Sequence, residues 1–199
     1  EVGYSRVLAL RVTYVGELGF ELYVPTDQAA SLWENLESAS ADLGLRPVGL
    51  QAMNGLRLEK GYRDYAVDID NTDTPVSAGL AFAVAWDKPT PFRGKEALEK
   101  TRTDKTERLV SLLVEDPEPL LYGSEPVHRD GVRVGHTQVG GYGFTLGGAI
   151  ALATVTNVDG VTGDWLSTGT WEVVVAGTAY PARLSLRPFY DPDRTRVRG

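Results

Sequence analysis

The first hydrophobic pattern along the chain predicts a β-hairpin. Apolar and polar side chains alternate over residues 6–15, a period of two that is typical of a strand with one buried face. A second apolar run covers 20–24, and the intervening residues 16–19 have the composition of a turn. With a four-residue loop, Tyr14 would lie opposite Glu21 on the apolar face of the hairpin. The pattern therefore places a carboxylate among aromatic and aliphatic side chains.

The next hundred residues alternate between helix-like and strand-like patterns. Apolar residues at helical spacing predict a core-facing helix over about 26–43 and a second helix over about 48–60. A continuous apolar run predicts a buried strand over 80–86, and 94–101 reads as a short helix. This alternation favours an α+β fold, with helices packed on a sheet layer.

After the charged stretch 103–107 the pattern changes to short strands separated by turn residues, with no convincing helix. Asp130-Gly131 is a strong signal for a two-residue hairpin turn. The strands are predicted at 109–114, 126–128, 132–139, 149–155, 171–175 and 180–186. Their spacing is typical of a small barrel or sandwich. We therefore predict an α+β domain over 1–104 and an all-β domain over 105–199.

Composition and charge narrow the classes of function. The 199 residues are 42% hydrophobic and 24% charged, as in an ordinary globular protein. The net charge of −7 disfavours binding to nucleic acid or to an anionic membrane. The chain has no cysteine, no apolar run of about 20 residues and no signal-peptide pattern, so we expect a soluble, cytoplasmic protein.

Several common catalytic motifs are missing. If Asp130-Gly131 is the turn, His128 and His136 point to opposite faces of one ribbon, so we expect no metal site. The glycine-rich stretch 140–148 lacks the register of a phosphate-binding or dinucleotide-binding loop, and a tight strand connection or bulge explains it better. The sequence also lacks a nucleophile elbow, which disfavours a hydrolase.

Glu21 is the residue whose predicted place calls for an explanation. A carboxylate on a buried face needs a partner, because an unpaired buried charge is costly. One interpretation is an internal ion pair with Arg57 on the second helix. The other is a ligand-binding role. The residues alone favour neither.

The segment from Tyr14 to Leu22, Tyr-Val-Gly-Glu-Leu-Gly-Phe-Glu-Leu, resembles the Tyr-x-Gly-Glu-x-Gly-aromatic-Glu signature of the glycine cleavage T-protein (aminomethyltransferase) family. Further matching segments follow in order at 56–62, 74–80, 92–98 and 140–143. Two segments, 52–60 and 187–192, resemble the folate-binding C-terminal region of dimethylglycine and sarcosine dehydrogenases or oxidases. The resemblance covers nearly the whole chain.

This resemblance implies a fold and a function. The fold would be part of the T-protein folate-binding α/β domain, followed by a small C-terminal antiparallel β-barrel. Such proteins transfer a one-carbon unit from an N-methyl amine or iminium, such as dimethylglycine or sarcosine, to tetrahydrofolate. By motif, Glu21 would bind the pterin ring with Tyr14 beside it, and Arg57 and Tyr65 are weaker candidates for the folate site. A carboxylate suits the two parallel donors of a pterin.

Some features depart from the family pattern. Met53 stands where the glycine-cleavage branch usually has an arginine that helps to hold folate. The segment that supplies the family's catalytic Asp has no counterpart before Tyr14, so we expect either a C-terminal fragment or a partner chain that completes the site. FAD would bind only in a preceding domain. A non-catalytic module and a folate-dependent demethylase with another donor stay open, and Arg194, Arg196 and Arg198 would meet the folate tail or lie in solvent.

Overall fold

The computed structural model describes residues 1–199 and begins with a two-stranded antiparallel sheet. Its strands are β1 (Leu8–Leu10) and β2 (Glu21–Tyr23), and Leu10 pairs with Glu21. The connection therefore spans 11–20, and the predicted four-residue loop is wrong. Tyr14 lies in this connection and not opposite Glu21. Local bonds, such as the one from the Val15 amide to Thr13 Oγ1 at 3.3 Å, replace the strand pairing there.

Three helices follow in the first part of the chain. A 3₁₀ turn leads into α1 (Ala29–Ala39), which ends earlier than predicted, while α2 (Leu50–Glu59) and α3 (Lys95–Thr101) match their predicted places. The buried strand predicted over 80–86 is wrong, because Ala81–Ala83 forms a 3₁₀ turn. A short apolar run without alternation does not distinguish a buried strand from a helical turn.

The second part is a closed barrel of six antiparallel strands. The strands are β3 (Glu107–Val114), β4 (Pro126–Arg129), β5 (Val132–Gly143), β6 (Gly148–Thr156), β7 (Trp171–Val175) and β8 (Thr178–Ser185). Around the barrel they follow the order β3-β6-β5-β4-β7-β8, and β8 closes on β3. The α+β fold with a C-terminal antiparallel barrel is thus confirmed. The sequence pattern predicts no helix in this part, but the structure contains two short ones, α4 (Gly163–Ser167) and α5 (Thr195–Arg198).

The barrel interior holds the larger hydrophobic core. Val127, Val155 and Val173 are completely buried there. Each such side chain contributes about 1.5–3 kcal/mol relative to exposure. The turn between β4 and β5 has positive φ at both central residues, 51° at Asp130 and 79° at Gly131, which is the geometry that an Asp-Gly pair favours.

A bulge shifts the pairing of β4 with β5. His128 pairs with Arg133 as predicted, but His136 pairs with Pro126, because the register changes between Val127 and His128. Val127 and its partner Gly135 face the interior, so both histidines lie on the outer side of the barrel. The prediction that they point to opposite faces is wrong, because one extra residue in β5 moves the side chains that follow it to the other face of the sheet.

Helix α2 joins the first part of the chain to the barrel. The buried Glu59 carboxylate accepts hydrogen bonds from the amides of Thr145 and Leu146, at 2.8 and 2.9 Å, in the turn between β5 and β6. Leu58 packs in a second hydrophobic cluster with barrel residues such as Ile150. These contacts fix the end of α2 against the barrel. Lys60 follows directly after this helix. No helix of the structure combines the length and the apolar character needed to cross a membrane.

Candidate functional site

A cavity of about 500 Å³ lies where the 11–20 connection, the segment after α2 and the C-terminal segment meet. Four aromatic side chains line it, Tyr14, Tyr62, Tyr65 and Phe82. Four cationic side chains also line it, Lys60, Arg63, Arg187 and Arg194. No carboxylate lines the cavity, although the whole chain carries a net charge of −7. This combination suits a flat ring that carries a negatively charged group.

The aromatic wall is partly preformed. The rings of Tyr14 and Tyr62 are nearly parallel, with an interplanar angle of 14° and centroids 6.4 Å apart. Burial raises the pKa of both phenols, so they stay protonated and can donate hydrogen bonds at neutral pH. Tyr65 and Phe82 are largely exposed.

The cationic groups are held by the backbone and by two carboxylates. Arg63 Nε donates to the carbonyl of Ala78 at 2.9 Å, and a second nitrogen of the same guanidinium donates to the carbonyl of Gly61. Lys60 Nζ lies 2.7 Å from a carboxylate oxygen of Asp191. Arg187 and Arg194 come from the C-terminal segment, where Arg187 Nη2 lies 2.7 Å from Asp193 Oδ1. Two parts of the chain therefore supply the four cationic side chains.

Arg57 lies beneath this wall as a buried structural residue. It is 1% exposed and forms an ion pair with Asp68, whose side chain is fully buried. Its Nε donates to Asn54 Oδ1 at 2.8 Å and its Nη1 to the carbonyl of Tyr62 at 3.2 Å. The ion pair with Glu21, one of the two interpretations left open by the sequence, is not formed, because Asp68 is the partner of Arg57. Arg57 thus supports the backbone of Tyr62, one of the aromatic wall residues.

Glu21 lies outside the cavity wall. It is exposed on β2, where its carboxylate accepts a hydrogen bond from the Tyr23 hydroxyl at 2.5 Å. Of the four residues named from the sequence, the structure brings Tyr14 and Tyr65 into one cavity, places Arg57 beneath it and leaves Glu21 apart.

The sequence indicates Tyr14 and Tyr65 and leaves Arg194 undecided. It gives no sign of the other five aromatic and cationic wall residues, Lys60, Tyr62, Arg63, Phe82 and Arg187. Tyr62 ends a matching motif, yet nothing in that motif indicated its stacking with Tyr14. The sequence pattern predicts a buried strand at Phe82, but this side chain is 74% exposed at the cavity. Arg194 was one of three arginines at the end of the chain, and its contact depends on the path of the C-terminal segment, which carries no periodic signal.

Comparison with known proteins defines the class. Residues 1–88 match the family model of the GCVT N-terminal domain, and residues 107–191 match the glycine cleavage T-protein C-terminal barrel domain. The crystal structure of the glycine cleavage system aminomethyltransferase T from Bartonella henselae aligns with 92% of this chain and 50% of its own, at a TM-score of 0.77 and 26% identity. The fold is therefore that of an aminomethyltransferase.

The chain belongs to the glycine cleavage T-protein family. Its relatives include 4-methylaminobutanoate oxidase (formaldehyde-forming) of Paenarthrobacter nicotinovorans, which is 42% identical over 100% of this chain and 24% of the relative. Mitochondrial sarcosine dehydrogenase of Mus musculus is 38% identical over 97% of the chain, and mitochondrial dimethylglycine dehydrogenase of the same species is 34% identical over 96%. The chain spans only 21% and 22% of these two enzymes. The resemblance to this branch is confirmed.

Proposed function

We infer that this chain is part of a tetrahydrofolate-dependent protein that passes a one-carbon unit from a methylated amine, or its iminium, to tetrahydrofolate. The observation that carries the proposal is the cavity that is lined both by the stacked Tyr14 and Tyr62 and by four cationic side chains. Tetrahydrofolate has the matching chemistry, a flat heterocycle at one end and carboxylates at the other. Family membership supports the same ligand.

Each candidate residue takes a role that fits its place. Tyr14 and Tyr65 would contact the ring system of the ligand, and Arg63 and Arg194, which have no carboxylate partner, would meet its anionic tail. Glu21 would bind the pterin donors, provided that the ligand extends from the cavity towards β2. Arg57 would act indirectly, because its ion pair with Asp68 occupies it. Met53 replaces the usual folate-holding arginine, so these cations would carry more of the binding.

The catalytic carboxylate is proposed to lie outside these residues, in a further part of the family domain or in a partner chain. The exposed apolar surface of the first sixty residues supports this. Leu8 and Phe20 are 60% and 61% exposed around the small sheet, and Trp33 on α1 is 49% exposed. Exposed apolar side chains that lie together, unlike single scattered ones, mark a surface that contacts another protein segment.

The methyl donor is not decided by this region. Relatives that match the same stretch are named for three different amines, 4-methylaminobutanoate, sarcosine and dimethylglycine. We propose that the donor site and any FAD lie in a preceding domain of a longer protein. The main alternative, a non-catalytic module of the same fold, would not bind folate.

An assay of the full-length gene product with these three amines tests the proposal. Free formaldehyde and one-carbon derivatives of tetrahydrofolate would be measured with and without added tetrahydrofolate. We expect that tetrahydrofolate lowers the yield of formaldehyde and that a methylene derivative appears in its place. An unchanged formaldehyde yield and no folate product would favour the non-catalytic module.

A further inference from the structure

A buried ion pair is one of the contacts that hold the C-terminal segment 187–199 across the first part of the chain. Lys60 Nζ donates to Asp191 Oδ2 at 2.7 Å and to the carbonyl oxygen of Asp191 at 2.6 Å. The two side chains are only 2% and 6% exposed, although Asp191 lies in an otherwise exposed segment. A buried pair of this kind fixes the position of the backbone on which it lies.

The same carboxylate caps α5. Asp191 Oδ1 accepts hydrogen bonds from the amide and the hydroxyl of Thr195, at 2.8 and 2.7 Å, and Oδ2 accepts one from the Arg196 amide at 3.2 Å. The carbonyl oxygen of Asp191 accepts a further bond from the Arg194 amide at 3.1 Å. Arg194 itself has a φ of 61°, which is unusual for a residue with a side chain. The hydrogen bonds of Asp191 therefore stabilise a turn in which the backbone of Arg194 has an unfavourable conformation.

The turn determines where Arg194 points. Its guanidinium carbon lies 5.6 Å from the ring centroid of Phe82, and both side chains line the candidate cavity. Of the cations there, Lys60 is neutralised by Asp191 and Arg187 by Asp193, and Arg63 donates to two backbone carbonyls. Arg194 has no carboxylate partner within salt-bridge distance. Arg194 is thus available to an anionic ligand only while the turn holds it over Phe82.

We propose that Asp191 is a positioning residue for the ligand cavity. Anchored by Lys60, it fixes the turn into α5 and so presents Arg194 to the anionic end of the ligand. The inference rests on the proposed function, since it takes tetrahydrofolate as that ligand. It adds a residue that touches no ligand and acts through Arg194.

A double-mutant cycle tests this action. In the full-length protein, calorimetry would give the dissociation constant of tetrahydrofolate for Asp191→Asn, Arg194→Gln and the double variant. We expect each single variant to weaken binding about tenfold, the effect of losing a hydrogen bond to a charged group, and the double variant to be no weaker than the singles. Asp104→Asn is the control, because Asp104 caps Thr106 with similar bonds of 2.9 and 2.7 Å away from the cavity.

Several results would overturn the inference. Normal affinity in Asp191→Asn would do so, and so would additive effects in the double variant. If Asp191→Asn does not fold, Arg194→Gln carries the test: its affinity should depend less on salt concentration than that of the unsubstituted protein, and an equal dependence would refute the inference. Absence of tetrahydrofolate binding by the unsubstituted protein would overturn the proposed function together with this inference, whereas the other results overturn the inference alone.

Discussion

At the scale of single residues, the buried pair of Arg57 and Asp68 explains why a motif residue need not touch the ligand. Asp68 is fully buried and also accepts a hydrogen bond from the Asp64 amide at 2.7 Å. Removing one partner leaves the other charge buried and unpaired. Arg57 thus contributes to the cavity by holding the chain at Tyr62, and its loss would disturb the fold before it disturbed binding.

We therefore expect Asp68→Ala to lower the free energy of unfolding by about 3–5 kcal/mol, the usual effect of breaking a buried pair. The double variant Arg57→Met/Asp68→Leu should recover much of that loss, because it leaves no unpaired charge. Urea denaturation of both variants measures this. A double variant less stable than Asp68→Ala would show that the pair itself is strongly stabilising.

Asp191 gives a pH dependence with a definite sign. Burial opposes its ionisation, but hydrogen bonds from Lys60 and Thr195 outweigh this and hold its pKa well below the ordinary 3.8. Because the pKa is lower in the folded state, the stabilisation is complete above the unfolded value and is lost as the pH falls through the range below about 4.

The measurement is the free energy of unfolding of the unsubstituted protein and of Asp191→Asn as a function of pH. We expect a constant difference at neutral pH that shrinks in the acid range. A difference that stayed the same into strong acid would mean that folding does not lower the pKa of Asp191.

At the scale of elements, the barrel depends on glycines that allow close approach. A Cβ at Gly140, on β5, would lie 2.5 Å from the backbone carbon of Leu121. Gly163, the first residue of α4, has nothing within 4 Å of such a Cβ and no positive φ. The two positions are therefore a matched pair of glycines, one crowded and one open.

Gly140→Ala should cost at least about 1–3 kcal/mol, because the backbone must move to admit the methyl group. Gly163→Ala should be neutral or stabilise by roughly 0.4–1 kcal/mol through the unfolded state. Thermal unfolding of the two variants compares them directly. Equal melting temperatures would contradict the close approach of the Leu121 segment to β5.

The elements also show which parts of the fold could be predicted from sequence. The six barrel strands follow from local patterns, since alternation and turn residues such as Asp130-Gly131 act within a few positions. The first hairpin could not be predicted in the same way, because the 11–20 connection is held by the C-terminal segment. Tyr190 donates a hydrogen bond to Glu17, although 173 positions separate them.

The candidate site was predictable to a similar extent. The motif resemblance indicated Tyr14 and Tyr65, which do line the cavity. Phe82 and Arg194 come from irregular segments that meet only after folding, and no pattern along the chain connects them. Prediction of the Glu21 environment failed because it assumed a tight turn in the hairpin.

At the scale of the whole molecule, the two parts of the chain differ in how much they bury. The barrel encloses a cluster of fourteen buried residues, whereas many large apolar side chains near the small sheet and α1 are exposed. This contrast supports the proposal that a further part of the family domain covers the first sixty residues. The division into domains 1–104 and 105–199 stays a prediction.

The central claim is that this region binds tetrahydrofolate, and a calorimetric titration of the full-length gene product tests it most directly. We expect saturable binding by the unsubstituted protein and binding at least about tenfold weaker for Glu21→Gln, which loses a charged acceptor while keeping its shape. Asp104→Asn is again the control. No heat of binding in the unsubstituted protein would contradict the account, and equal affinity in Glu21→Gln would remove Glu21 from the site.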